Sequence, residues 1–197
     1  MLEDHAERVA DFKAALLAHD EATLIDRYYQ TQPAAALTTA QEASLRRAIA
    51  DHHRVPLRDV IIVGSAKLGF TLRPKPGRPA LSSFGDASDI DVAIISGPLF
   101  LNLWKRIFLY AEQHDDWSDG NAFRKFLQRG WLRPDRLPRD AEFPERREWF
   151  EFYQGLTDSG EFGPYKIAAG VYFDEDFWGQ YTKRSLIELR QAEETNE

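Results

Sequence analysis

Val60-Ile61-Ile62-Val63-Gly64-Ser65 and Ser88-Asp89-Ile90-Asp91-Val92-Ala93-Ile94-Ile95-Ser96 decide the fold of this chain. Each is a short β-branched run, the pattern of a buried strand. The first runs straight into Gly-Ser, where glycine lets the backbone approach a ligand closely. The second opens with two aspartates one residue apart. Residues two apart on a strand share a face. Asp89 and Asp91 therefore project together, while Ile90, Val92 and Ile94 turn to the core. Two carboxylates at an exposed strand end form a hard-oxygen site suited to Mg²⁺, which keeps waters and takes phosphate oxygens as further ligands. Two such ions can activate an attacking hydroxyl and stabilise a leaving oxygen. Gly64 and Ser65 are the candidate phosphate contacts, and Lys67 adds a candidate point charge. Taken singly, Gly-Ser after a strand also suits a plain turn, and Asp-x-Asp a solvated strand edge. The pairing of the two carries the information.

Working outward, residues 2–30 carry apolar residues at helical spacing until Gln32-Pro33 breaks the pattern. Thr38 to Glu42 reads as an N-cap region opening a helix that runs to about His53. Residues 73–87 hold three prolines and two glycines and read as a long connection, functional or mobile. Pro98 suits the first turn of a helix carrying Phe100, Trp104 and Ile107. Two more helices are expected over 119–130 and 143–156, a third strand over 165–173, and a last helix from about Asp174 into a polar tail at 191–197. The expected fold is α+β: a short mixed sheet packed with helices, plus N-terminal and C-terminal helices. It forms a single domain over 1–197, with N-terminal helices at 1–55, a motif core at 56–98, a helical segment at 99–160, and a strand and helix at 161–197.

The composition fits such a domain. Of 197 residues 43% are hydrophobic and 13% aromatic, which excludes disorder for most of the chain. The absence of cysteine excludes disulfides, thiolate metal sites and cysteine nucleophiles. The net charge of −7 excludes a chain that coats nucleic acid along its whole surface. No apolar run approaches a membrane span, and the acidic start lacks a signal-peptide pattern, so a cytoplasmic protein with no membrane partner is expected.

Gly64-Ser65 together with Ser88-Asp89-Ile90-Asp91-Val92-Ala93-Ile94 resembles the signature of the polymerase-β-type nucleotidyltransferase superfamily, in particular its small bacterial nucleotidyltransferase-domain proteins. The resemblance covers residues 58–98. It implies that Gly64 and Ser65 hold the phosphates of a nucleoside triphosphate such as ATP, and that Asp89 and Asp91 are the catalytic, metal-binding pair for two Mg²⁺ ions. An acceptor hydroxyl, on RNA or protein, would attack the α-phosphate and release pyrophosphate. The family usually adds a third carboxylate on a later strand. Residues 166–173 contain none, and Asp174, just beyond, is a candidate third ligand or a helix cap. The 23 residues between Ser65 and Asp89 are more than the family usually has, and this connection carries Arg73, Lys75 and Arg78. Two other readings stay open: a catalytically lapsed module that binds nucleotide or nucleic acid, and an interaction partner in a toxin–antitoxin or phage-defence system.

Residues 124–147 hold eight basic against four acidic residues, interleaved with aromatics. Such a segment suits an acceptor-binding face, or helix-face ion pairs over core aromatics. The five histidines show no zinc spacing, Gly64 to Gly69 is not a P-loop, and Ser65 is not in a nucleophile elbow.

Overall fold

The computed structural model describes residues 5–85, 88–114 and 117–196. The expected helical start at 2–4, the end of the long connection at 86–87 and the last residue of the polar tail lie outside the described residues. The fold is α+β, with a mixed, open four-stranded sheet of order β1-β2-β4-β3. Strands β1 (Val60–Val63) and β2 (Ile90–Ile95) pair antiparallel, with Val63 opposite Asp91. β2 runs parallel to β4 (Ile167–Tyr172), with Asp91 opposite Ala168. β3 (Trp131–Leu132) adds two residues antiparallel to the end of β4.

The strands alternate between two apolar layers, as the two-residue period requires. On one face Val60, Ile62, Ile90, Val92 and Ile94 pack with Leu45 and Ile49 of α3 (Thr39–His53) and Phe100 of α5 (Gly97–Ala111). Trp149 of α7 (Pro144–Asp158) completes that layer. On the other face Ile61, Ala93 and Tyr172 meet Phe12 of α1 (His5–Ala18), Leu24 of α2 (Glu21–Ile25) and Trp178 of α8 (Glu175–Asn196). Burying one such large apolar side chain contributes about 1.5–3 kcal/mol, so the sheet is anchored from both sides.

Local signals set the helix ends. Thr38 and Gln41 form a reciprocal capping box at α3. Pro98 occupies the first turn of α5, where Ser96 accepts from Leu99 N at 3.4 Å. After α2 the chain widens into a π-helical turn, Asp26–Thr31, and the consecutive Tyr28 and Tyr29 are both buried. The apolar spacing of Leu24, Ile25 and Tyr28 predicts a second helical segment after His19-Asp20, and the widening within it carries no signal in that spacing. The two short helices that complete the count among the described residues are α4 (Gly64–Leu68) and α6 (Gly120–Leu127).

Candidate functional site

β1 ends in an extended Val63, and the chain turns at once into α4 through Gly64, whose φ is +64°. Position 64 is pressed against β2: a β-carbon there would lie 3.2 Å from Oδ2 of Asp91. Glycine takes this left-handed turn without strain, and a β-carbon would press on the carboxylate. Asp89 precedes β2 by one residue, and Asp91 is the second residue of the strand. Gly64, Ser65, Asp89 and Asp91 all line one cavity of about 420 Å³. The expected convergence of the two motifs is therefore present in the geometry.

The electrostatics of this corner are uneven. Burial, and then the neighbouring Asp89 charge, push the Asp91 carboxyl up to about 6. Lys75, Lys166 and Arg133 oppose the shift, and all three line the same cavity. Two crowded carboxylates facing an open volume fit a divalent cation whose other ligands are waters and phosphate oxygens. Among the described residues no third carboxylate joins the pair: Asp135 lines the same cavity but is engaged by Arg133. The position opposite Asp91 on β4 is Ala168, and among the described residues no group of three His, Cys, Asp or Glu side chains could hold a metal.

Two expected site residues are not brought to the cavity. Lys67 is buried at 4% exposure, and its Nζ donates to the carbonyl of Gln32 at 2.6 Å. The reason is the segment leading into α3: Ala35 N and Ala36 N bond the carbonyls of Lys67 and Ala66, so the chain passes over α4 and covers the lysine. Burial also lowers its pKa, with Glu42 opposing. Lys67 is thus a structural tie and not a phosphate contact. Asp174 lies beyond the far end of β4 and caps α8, its Oδ1 accepting from Phe177 N at 3.1 Å. Ala168 lies six residues before Asp174 on an extended strand, so Asp174 is roughly 20 Å along the chain from the carboxylate pair and is not the third ligand.

The cavity also holds residues that sequence patterning did not assign to it. Trp131 of β3 stacks on Tyr172 with ring centroids 5.4 Å apart. Both line the cavity, as do Tyr181 and Thr182 of α8. Gly170 makes room for this wall, since a β-carbon there would lie 2.5 Å from Trp131 Nε1. Arg133 lies over the Trp131 and Phe126 rings and is held by Asp135 through Nη2–Oδ2 at 2.8 Å. For Trp131 and Arg133 the signal in the sequence was the basic, aromatic composition of 124–147. Much of that segment is otherwise occupied. Phe123, Phe143 and Trp149 are buried core, Arg136 pairs with Asp119 at 2.6 Å, and Arg147 faces Glu151 at 3.7 Å.

Of the histidines, His52 stacks flat on Phe152 at 3.6 Å, and His53 Nε2 meets the Tyr153 hydroxyl at 3.0 Å. They belong to the α3–α7 contact rather than to a metal set. No described helix is long and apolar enough to cross a membrane. Comparison of the chain with family models, with curated proteins and with solved structures gives no match.

Proposed function

We propose that the protein binds a nucleoside triphosphate with Mg²⁺ and transfers its nucleotidyl group to an acceptor hydroxyl on RNA or protein. The observation that carries this reading is the convergence of the Gly64-Ser65 turn and the Asp89/Asp91 pair on one cavity. The turn offers close backbone approach to the phosphates. Asp89 and Asp91 would hold Mg²⁺, which when bound neutralises phosphate charge and lowers the barrier to displacement. The acceptor oxygen forms a bond to the α-phosphorus, and the bond from that phosphorus to the bridging oxygen breaks. Pyrophosphate leaves with the electron pair, and the hydroxyl proton passes to water. The aromatic wall of Trp131, Tyr172 and Tyr181 excludes water and orients what enters. The donor set suits one ion held mainly by the protein, so a second would rest mostly on the substrate's own oxygens. A triphosphate substrate assigns the activity to the cytoplasm.

One observation favours a second reading, nucleotide binding without turnover: Ala168 stands opposite Asp91, and among the described residues no third carboxylate joins the pair. Incubation with each labelled triphosphate and Mg²⁺ separates the two. Pyrophosphate release that is lost in Asp89→Ala and Asp91→Ala supports transfer. Mg²⁺-dependent binding with no release supports the second reading, and neither binding nor release sinks both.

A further inference from the structure

Residues 69–84, between α4 and β2, form a folded-back arm. Thr71 N bonds Ser82 O at 3.0 Å, and Leu81 N bonds Thr71 O at 2.7 Å. Further out, Lys75 and Arg78 exchange both backbone hydrogen bonds, at 2.8 and 2.9 Å. Pro76-Gly77 forms the tip, with φ +74° at Gly77, the conformation a proline–glycine turn requires. Phe70, at the arm's root, is buried against Phe12.

The three basic side chains of the arm are divided in their tasks. Arg78 ties the arm to itself and to the start of β2, through Ser83 O at 2.6 Å and Ser88 Oγ at 3.3 Å. Arg73 and Lys75 instead line the cavity that holds Asp89 and Asp91. Arg73 lies over the Tyr181 ring and reaches Glu188 of α8 at 2.9 Å, but its Nε is buried with no hydrogen-bond partner. Lys75 has no acidic side chain within ion-pair distance among the described residues. Arg133, by contrast, is already matched by Asp135. An open donor and an ammonium with no ion-pair partner among the described residues, facing one cavity, call for an anion with several acceptor oxygens.

We propose that this arm is a polyphosphate clamp: Arg73 and Lys75 grip the β- and γ-phosphates of the nucleotide in the cavity that holds Asp89 and Asp91. The inference rests on the nucleotide reading above and adds the residues that recognise the leaving pyrophosphate. The clamp makes affinity depend on the number of phosphates, because a monophosphate held near the carboxylates leaves both cations unused. Glu188 then competes with the phosphate for Arg73.

Calorimetric titration of the full chain with Mg²⁺ and inorganic tripolyphosphate, and separately with nucleoside triphosphates and monophosphates, tests this. Lys75→Ala and Arg73→Ala should each weaken tripolyphosphate and triphosphate binding about tenfold, and monophosphate binding by less than about twofold. Glu188→Gln should tighten triphosphate binding. Lys75 is exposed near the arm's tip, so its variant keeps the test informative even where Arg73→Ala loosens the arm. If the wild type binds triphosphate through Asp89 and Asp91 while both cation variants match it, the clamp is overturned and the nucleotide reading stands. If the wild type binds neither tripolyphosphate nor any triphosphate, the nucleotide reading falls and the clamp with it.

Discussion

Gly64 and Asp91 stand in near contact: a β-carbon on residue 64 would come within 3.2 Å of the carboxylate oxygen Oδ2. The turn backbone and the acid thus form one surface, and a side chain at 64 disturbs both. At φ +64° an L-residue is also strained by about 1–2 kcal/mol. Gly64→Ala should therefore lower unfolding free energy by about that amount and weaken Mg²⁺-nucleotide binding at least about tenfold. Urea unfolding and calorimetry read the two effects. A variant with wild-type stability and affinity would show that the close approach is not needed.

The burial of Asp91 comes at a cost to the fold. Its carboxyl is raised to about 6 by burial and by Asp89, against an unfolded value near 3.9. Between those values the native chain holds more protons than the unfolded chain. Stability therefore falls as pH rises through about 4–6 and stays low above. Asp91→Asn removes the charge, and should stabilise the ligand-free protein at pH 7 by about 1–3 kcal/mol while abolishing Mg²⁺-dependent nucleotide binding. Water in the cavity screens part of the effect, which favours the lower half of that range. At pH 4 the advantage should vanish. An Asn variant that is less stable at pH 7 contradicts this account.

The sequence made β1, β2 and the convergent pair legible because each depends on short-range rules: a β-branched run, a glycine at a tight turn, and two carboxylates sharing a strand face. The N-cap at Thr38 and the helix start at Pro98 were legible for the same reason. What stayed hidden depends on distant chain segments. Lys67 looks like a phosphate contact until residues 32–36 are known to cross over it. β3 is two residues long, too short to show a period, yet it sets Trp131 on Tyr172 and so builds the cavity wall. Prolines and glycines marked 73–87 as a connection, but the cross-arm hydrogen bonds at its root, Leu81 and Ser82 with Thr71 and Phe84 with Gly69, join residues far apart in sequence.

His53 gives the chain an acid-sensitive joint away from the site. It is wedged between α3 and α7, its Nε2 at 3.0 Å from the Tyr153 hydroxyl. Burial, helped by His52, holds its pKa down at about 3, against an unfolded value near 6.5. The unfolded chain binds the extra proton in that window, so stability is full above about pH 6.5 and drains as pH falls toward 3. His53→Gln should flatten this acid limb. Urea midpoints at pH 7 and pH 4.5 should differ by less in the variant than in the wild type, by on the order of 2 kcal/mol when converted to free energy. Equal differences would remove His53 as the cause.

Ala168 is the position at which the two functional readings part. It lies in register with Asp91 on the neighbouring parallel strand and lines the same cavity. Partners in register share a face and stand about 4.8 Å apart. Ala168→Asp therefore adds a third carboxylate beside the existing pair. Without metal, the extra charge beside an already disfavoured Asp91 should destabilise the fold by about 1–3 kcal/mol. Mg²⁺ should restore that loss, because three oxygens then face one cation. The melting temperature of the variant should climb with Mg²⁺ more steeply than that of the wild type. If turnover is limited by a missing ligand, pyrophosphate release should appear or rise in the same variant, and a further Asp91→Asn change should abolish it. A variant whose melting ignores Mg²⁺ would mean that the carboxylates at 89 and 91 do not form a cation site, and the nucleotidyl-transfer reading would lose its chemical basis.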